Sequence, residues 1–156
     1  MATGATLDDL PTWVGALLDD ARVGHLGVLD GRGRPRVLPV TFAVVDGAVW
    51  SAVDHKPKRR PGEELARVRW LRERPEATLT VDRYDDDWTQ LAWVQLIGAT
   101  AVVDVAGHDR VLSALAERYP QYRGRPPGGP LLRLTVERTV CWSALDIEQR
   151  VEEDRP

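Results

Sequence analysis

The sequence predicts a single α+β domain in which six antiparallel strands close into a barrel, with short helices beside it. Three observations support this prediction. Six segments are typical of strands and only three of helices, so strands and helices do not alternate one for one. Two Asp-Gly pairs are suited to hairpin turns between strands. At 156 residues the chain fits one domain, with a core at about residues 12–144 and a charged peripheral tail at residues 145–156.

Three short helices are expected from apolar residues at helical spacing. The first covers residues 7–21, where Thr6 and Asp9 have the spacing of a capping box. The second ends before Pro75, and the third carries the apolar residues between positions 111 and 119. Each is too short to form a layer of its own, so we expect the helices to flank the sheet.

The six strands are runs of apolar and β-branched residues that end at turns. In order they read RVGHLGVLD, PRVLPVTFAVV, AVWSAVD, ATLTVDRY, QLAWVQLIGATAVVD and LLRLTVERTVCW. Gly98 interrupts the fifth, where we expect a bulge or bend. The second and fifth strands are apolar on both faces, so one face can fill a barrel while the other requires a cover. A second copy of the chain is the expected cover, which predicts a homodimer.

Composition and charge exclude several classes of function. The formal net charge of −3 is too small to indicate a polyanionic or polycationic partner. Cys141 is the only cysteine, so an intrachain disulfide is impossible. The N-terminal segment is acidic where a signal peptide requires basic residues, and no run of about 18 apolar residues occurs. We therefore expect a soluble, cytoplasmic protein with no membrane partner.

Nucleic acids and metal ions are also unexpected ligands. Binding of single-stranded nucleic acid is supported only by KPKRR and six tryptophans, which are dispersed among apolar segments of an acidic chain. The histidines His25, His55 and His108 are isolated from one another in the sequence. The run Asp85–Asp87 lacks the glycine and glutamate of a calcium-binding loop. We expect no metal site.

The segment SAVDHKPKRR, residues 51–60, is the most informative candidate for a ligand site. It places four cations directly after a strand. Lysine supplies a point charge and arginine a bidentate fork for phosphate oxygens, and the end of a strand exposes amide donors. A solvated basic loop has the same composition, so the residues alone leave both interpretations open.

Several segments together resemble one family. They are GHLGVLDGRGRPRVLPVTFAVVDGAVWSAVDHKPKR, VDRYDDDW, AERYPQYR and ERTVCWSA, and the similarity spans roughly residues 12–144. In combination they resemble the pyridoxamine-5′-phosphate-oxidase-like superfamily, and more narrowly its branch of F420-dependent oxidoreductases from actinobacteria. The resemblance implies a split β-barrel of the FMN-binding type, a homodimer that holds a flavin or deazaflavin at the subunit interface.

The resemblance also implies four groups of cofactor-binding residues. The strand residues along the cofactor ring are Pro39, Val40 and Thr41. The residues that lead to the phosphate are Ser51, Ala52 and Val53. The cations that hold the phosphate are Lys56, Lys58 and Arg59. The residues that approach the cofactor of the partner subunit are Trp142 and Ser143. Ordinary strand packing is the alternative role for Pro39, Val40 and Trp142.

The implied function is hydride transfer between the reduced deazaflavin F420 and an unidentified small organic substrate. An FMN-dependent oxidase or reductase of the same fold is the alternative, and so is a flavin- or deazaflavin-binding protein without turnover. The sequence identifies no catalytic residue. Two departures from the family pattern bear on the site: Ala92–Gln95 reads AWVQ where many relatives read WWVR, and Pro61–Glu64 replaces the start of an arginine-rich helix.

Overall fold

A computed structural model describes residues 2–4, 7–53 and 64–145. The strands are β1 (Ala2–Gly4), β2 (Gly24–Leu29), β3 (Pro35–Val40), β4 (Ala43–Val45), β5 (Ala48–Ala52), β6 (Glu76–Arg83), β7 (Ala92–Val103) and β8 (Leu131–Ser143). The helices are α1 (Thr12–Asp20), α2 (Ala66–Glu73), α3 (Asp109–Arg118) and α4 (Gln121–Gly124), with single 3-10 turns at Leu7–Asp9 and Trp88–Gln90. All strand pairs are antiparallel, which confirms the predicted α+β class with one antiparallel sheet.

The sheet curls so that its two ends approach each other. Its strands run in the order β3-β2-β6-β7-β8-β5-β4, and β1 pairs with β8 beside this path. The end strands β3 and β4 are separated in the chain by Thr41 and Phe42 alone. Since a chain advances at most about 3.6 Å per residue, Val40 and Ala43 lie within about 11 Å of each other. The concave side encloses the main apolar core.

The helices α1 and α2 contribute side chains to this core. Val14 of α1 and Leu71 of α2 belong to the same buried cluster as the inward residues of the sheet. A second cluster lies on the other side of β5, where Trp50 and Ala52 pack against Leu115 of α3. As a result β5 is buried on both faces. None of the helices in the described parts of the chain is long and apolar enough to cross a membrane.

The strand count differs from the prediction of six, because eight strands occur among the described residues. β1 was not expected, and the segment predicted as one strand, PRVLPVTFAVV, is divided into β3 and β4. A residue distant in the sequence explains the division into β3 and β4. The Tyr119 hydroxyl accepts a hydrogen bond from the Phe42 amide at 3.0 Å and lies 3.0 Å from the Phe42 carbonyl oxygen. These groups therefore bond to a side chain at the point where the strand turns from one sheet edge to the other.

The first helix is shorter than expected, because it begins at Thr12 rather than at residue 7. Pro11 occupies the N-cap position, and a proline disfavours helical geometry at the residue before it. Thr6 of the proposed capping box lies outside the described residues. At the other end, the Arg118 guanidinium donates to the carbonyl oxygens of Leu18 and Ala21, at 3.0 and 2.6 Å. α3 thus supplies partners for carbonyl groups that the end of α1 leaves unpaired.

The two predicted hairpins form with different turns. Asp46 and Gly47 make a two-residue turn in which both have positive φ, 51° and 72°. The first hairpin has a longer loop, in which Gly33 has a φ of 75°. There the Asp30 carboxylate accepts hydrogen bonds from the amides of Arg34 and Arg32, at 3.0 and 2.9 Å. The Arg34 amide is the main cause that holds the pKa of Asp30 below its usual value.

The expected irregularity at Gly98 is a β-bulge. Ile97 pairs with Arg138 but Gly98 pairs with Val136, so Glu137 is the extra residue on β8. A Cβ atom on residue 98 would collide with the Thr135 carbonyl oxygen. Only glycine fits here, and the bulge bends the two longest strands around the core.

We expect Tyr119→Phe to destabilise the fold by about 1–3 kcal/mol, because it leaves the buried Phe42 amide without its partner. Urea unfolding followed by tryptophan fluorescence measures the change. Tyr84→Phe is the matched control: its side chain is 71% exposed, and loss of its hydroxyl should change stability by no more than about 0.5 kcal/mol. Equal stabilities of the two variants would contradict a structural role for the Tyr119 hydroxyl.

Candidate functional site

Five neighbouring strands present one side to the core and the other outward. Burial alternates along β2, β6 and β7, and the buried set belongs to the core. We call the opposite side of β3, β2, β6, β7 and β8 the open face. Residues of this face, strand by strand, include Val37 and Pro39; His25 and Gly27; Thr78, Thr80 and Asp82; Trp93, Gln95 and Ile97; and Arg138, Val140 and Trp142.

A groove of about 380 Å³ lies on the open face. Gly27 and Thr78 are small residues of its lining, and Val37 and Ile97 are apolar ones. Val37 is 67% exposed, which is unusual for a large apolar side chain on a sheet. The charged residues Arg36, Glu76 and Glu137 also line the groove.

One row of the open face carries polar side chains. Pro39 pairs with His25, His25 with Thr80, and Thr80 with Gln95, so the row crosses β3, β2, β6 and β7. The Nδ1 atom of His25 lies 3.8 Å from a carboxylate oxygen of Asp82, and both side chains are about half exposed, at 49% and 52%. Sequence reasoning treated His25 as an isolated strand histidine. Two signals could have placed His25 beside a predicted site residue. The residues of β2 alternate between buried and exposed, and Pro39 lies in the strand that follows the hairpin turn.

The three residues predicted along the cofactor ring face different ways. Pro39 is exposed on the open face, and Val40 is buried in the core. The hydroxyl groups of Thr41 and Tyr122 lie 2.9 Å apart in a hydrogen bond. Tyr119 and Tyr122 meet edge to face, with ring centroids 5.8 Å apart. The tyrosines of AERYPQYR therefore fix the chain immediately after Pro39.

The residues predicted to lead to the phosphate lie at the end of β5. Ser51 and Val40 line the same small internal cavity, so the structure brings these two predicted segments together. The Ser51 hydroxyl is buried and has no hydrogen-bond partner among the described residues. Ala52 packs in the cluster under α3, and the Val53 amide donates to the Pro130 carbonyl at 3.1 Å. The side chains of Ser51 and Ala52 therefore do not lie on the open face.

The basic segment follows β5 directly in the chain. Lys56, Lys58 and Arg59 lie outside the described residues, as do the Pro61–Glu63 positions of the departure noted above. The described chain resumes at Glu64, whose carboxylate accepts from Arg72 of α2 at 3.1 Å. A role in phosphate binding therefore stays a prediction for these three cations.

Trp142 and Ser143 lie far from Pro39 within one chain. Trp142 pairs with Trp93 at the far side of the open face, and the Ser143 side chain is buried. Four strand spacings separate β8 from β3, which is about 19 Å along the sheet. A single chain therefore does not bring Trp142 to the predicted ring site.

The acidic turn after β6 is a structural loop. The Asp87 carboxylate accepts hydrogen bonds from the Thr89 hydroxyl and amide, at 2.7 and 3.1 Å, and these bonds lower its pKa. Asp85 accepts from the Asp87 amide at 2.8 Å. The described residues contain no group of three or more side chains that could hold a metal ion. Cys141 is buried in the core.

Comparison with known proteins gives matches in structure alone. No family model matches the chain, and no curated protein sequence matches it. The conserved hypothetical protein Rv2991 from Mycobacterium tuberculosis has a TM-score of 0.72 and 19% identity, over 93% of this chain and 92% of that one. An FAD-binding protein from Mesorhizobium loti has a TM-score of 0.60 and 20% identity, over 90% and 97% of the two chains.

Proteins with other ligands share the same architecture. A candidate pyridoxamine 5′-phosphate oxidase from Listeria innocua has a TM-score of 0.61 and 16% identity, over 83% of this chain and 94% of its own. The heme storage protein HutZ from Vibrio cholerae has a TM-score of 0.65 and 15% identity, over 86% and 94%. Identities this low establish the fold and leave the ligand open. The chain therefore has the fold that pyridoxamine-phosphate-oxidase-like, FAD-binding and heme-storing proteins share.

Proposed function

We propose that this protein is a homodimeric split barrel that binds a phosphorylated flavin or deazaflavin, with F420 as the preferred cofactor and hydride transfer to a small organic substrate as its reaction. The observation that carries the proposal is the meeting of β3 and β5. Val40 and Ser51 line one cavity, while Pro39 beside them is exposed on the open face. A ring held along Pro39 would have its phosphate directed towards the segment that follows β5.

The residues present fit such a ligand. Pro39 offers an apolar surface without an amide donor, and Thr80 in the same row supplies a polar group for a ring edge. Lys56, Lys58 and Arg59 follow β5 and carry the charge that a phosphate requires. When bound, the cofactor supplies the hydride chemistry, and the chain supplies position and electrostatics.

A second copy of the chain completes the proposed site. In one chain Trp142 on β8 lies four strands away from Pro39 on β3, and in the proposed dimer the other subunit brings its Trp142 to the ring. The open face also carries Val37, Trp93 and Ile97, which leave apolar surface that one chain does not cover. A symmetric dimer through this face meets both requirements, because the same patch then serves both subunits.

Separate titrations with F420 and FMN test the cofactor. A ligand that binds only the folded state raises stability by RT ln(1 + [L]/Kd), about 2.7 kcal/mol at a hundredfold excess over Kd. We expect F420 to give the larger rise in melting temperature, with a matching change in ring fluorescence. Tighter binding of FMN would reverse the choice of cofactor. No response to either would reject the proposed function.

Replacement of Lys58 tests the phosphate contact. We expect Lys58→Met to weaken cofactor binding about tenfold or more, because a charge-assisted hydrogen bond contributes about 1.5–3 kcal/mol. Folding should change by less than about 0.5 kcal/mol, as for other loop charges. Arg32→Met, in the exposed turn of the first hairpin, is the control with the same change in net charge. Equal losses in both variants would indicate long-range attraction instead of a contact at Lys58.

A charge on the open face tests the dimer. We expect light scattering to show a dimer at micromolar concentration, and Val37→Lys to raise the dissociation constant at least tenfold, because it buries an unpaired cation in the interface. Val44→Lys is the control, since Val44 is 40% exposed and lies beside α1 instead. A monomeric parent protein, or equal dissociation of the two variants, would exclude the open face as the interface.

A further inference from the structure

His25 occupies a position that the proposed function leaves unused. It is paired in register with Pro39, and both lie on the open face. Its side chain is 49% exposed, so a molecule lying along Pro39 would also contact the imidazole. Cross-strand neighbours of this kind have Cβ atoms about 4.5–5.5 Å apart, which is shorter than the width of a fused-ring ligand.

The surroundings of His25 orient it. On one side β3 contributes Pro39, and on the other β6 contributes Thr80 and Asp82. Asp82 is the charged group that faces the imidazole among the described residues, and it lies on the Nδ1 side, 3.8 Å away. Nε2 has no hydrogen-bond partner among the described residues. The pair therefore has a carboxylate at one nitrogen and leaves the other for a ligand.

We infer that His25, protonated on both ring nitrogens beside the Asp82 carboxylate, donates a hydrogen bond from Nε2 to the bound redox ring and stabilises its reduced form, and that Asp82 is the positioning residue for His25. The inference rests on the proposed function, since it takes the ring to lie along Pro39. Uptake of a hydride adds two electrons and one proton, so the ring gains one negative charge. A donor at the ring edge lowers the energy of that charge, because hydrogen bonds to ionised acceptors are stronger than those to neutral ones.

The test compares affinities for the two redox states, with FMN and F420 as the probes. We expect His25→Phe to bind the oxidised form with an unchanged Kd and the reduced form about tenfold more weakly. For a two-electron couple this difference is a reduction potential about 30 mV lower. His25→Gln, which keeps a donor, should recover part of the loss. Asp82→Asn should shift the ratio in the same direction by a smaller factor.

His108 provides the matched control. It lies on the other side of the molecule, where its ring centroid is 5.1 Å from that of Trp50. We expect His108→Gln to leave the ratio of the two affinities unchanged. In NMR spectra of the parent protein, cofactor binding should move the ring signals of His25 and leave those of His108 in place.

The outcomes separate the two proposals. Cofactor binding without movement of the His25 signals, or with an unchanged affinity ratio in His25→Phe, overturns the role of His25 and leaves the proposed function standing. An equal loss for both redox states shows that His25 only shapes the site, which also overturns the inference. If neither cofactor binds the parent protein, the proposed function fails and the role of His25 fails with it.

Discussion

The hydroxyl group of Tyr119 fixes the backbone at Phe42, and the shape of the sheet depends on this contact. Phe42 lies between β3 and β4, the two strands at opposite ends of the sheet, and both its amide and its carbonyl oxygen lie 3.0 Å from this hydroxyl. A buried amide without a partner would be unfavourable at this position. Because the hydroxyl occupies it, the chain can leave one sheet edge and join the other within two residues. The curl of the sheet, the enclosed core and the exposed side of β3 all follow from that crossing.

The same contact sets the geometry of the candidate site. Tyr122 bonds to the Thr41 hydroxyl one residue before Phe42, so two tyrosines fix the chain directly after Pro39. Arg118, beside them, donates to carbonyl oxygens at the end of α1. One short segment of α3 and α4 thus ties together the first helix, the crossing and the end of β5. A ligand along Pro39 would meet a backbone held by several independent hydrogen bonds, which reduces the entropy lost on binding.

Local patterns in the sequence predict much of this fold, and long-range contacts explain what they miss. The strands β2, β6 and β7 and the helices α2 and α3 were expected, because each follows from residues near in sequence. Gly98 also marked the irregularity in β7, although the residues that require glycine there belong to β8. The break at Phe42 depends on a partner 77 residues away, so a continuous apolar run concealed it. Pro11 is a local signal that α1 starts at Thr12. The capping-box pattern predicted an earlier start, and this prediction was wrong. The direction of Ser51 follows from the helices that cover β5, which no pattern within the strand reveals.

In the candidate site, too, some residues could be assigned from the sequence and others only from the folded structure. Pro39 was assigned through the family resemblance, whereas His25 became a candidate only when the register placed it opposite Pro39. Trp142 was assigned through the family resemblance, and the sheet order places it four strands away from Pro39. On the open face the groove lies at one end and the paired residues Trp93 and Trp142 lie at the other. The polar row through His25 lies between those two ends. In the proposed dimer a ligand bound there would be enclosed by two subunits and shielded from water, where a single hydrogen bond has its largest electrostatic effect.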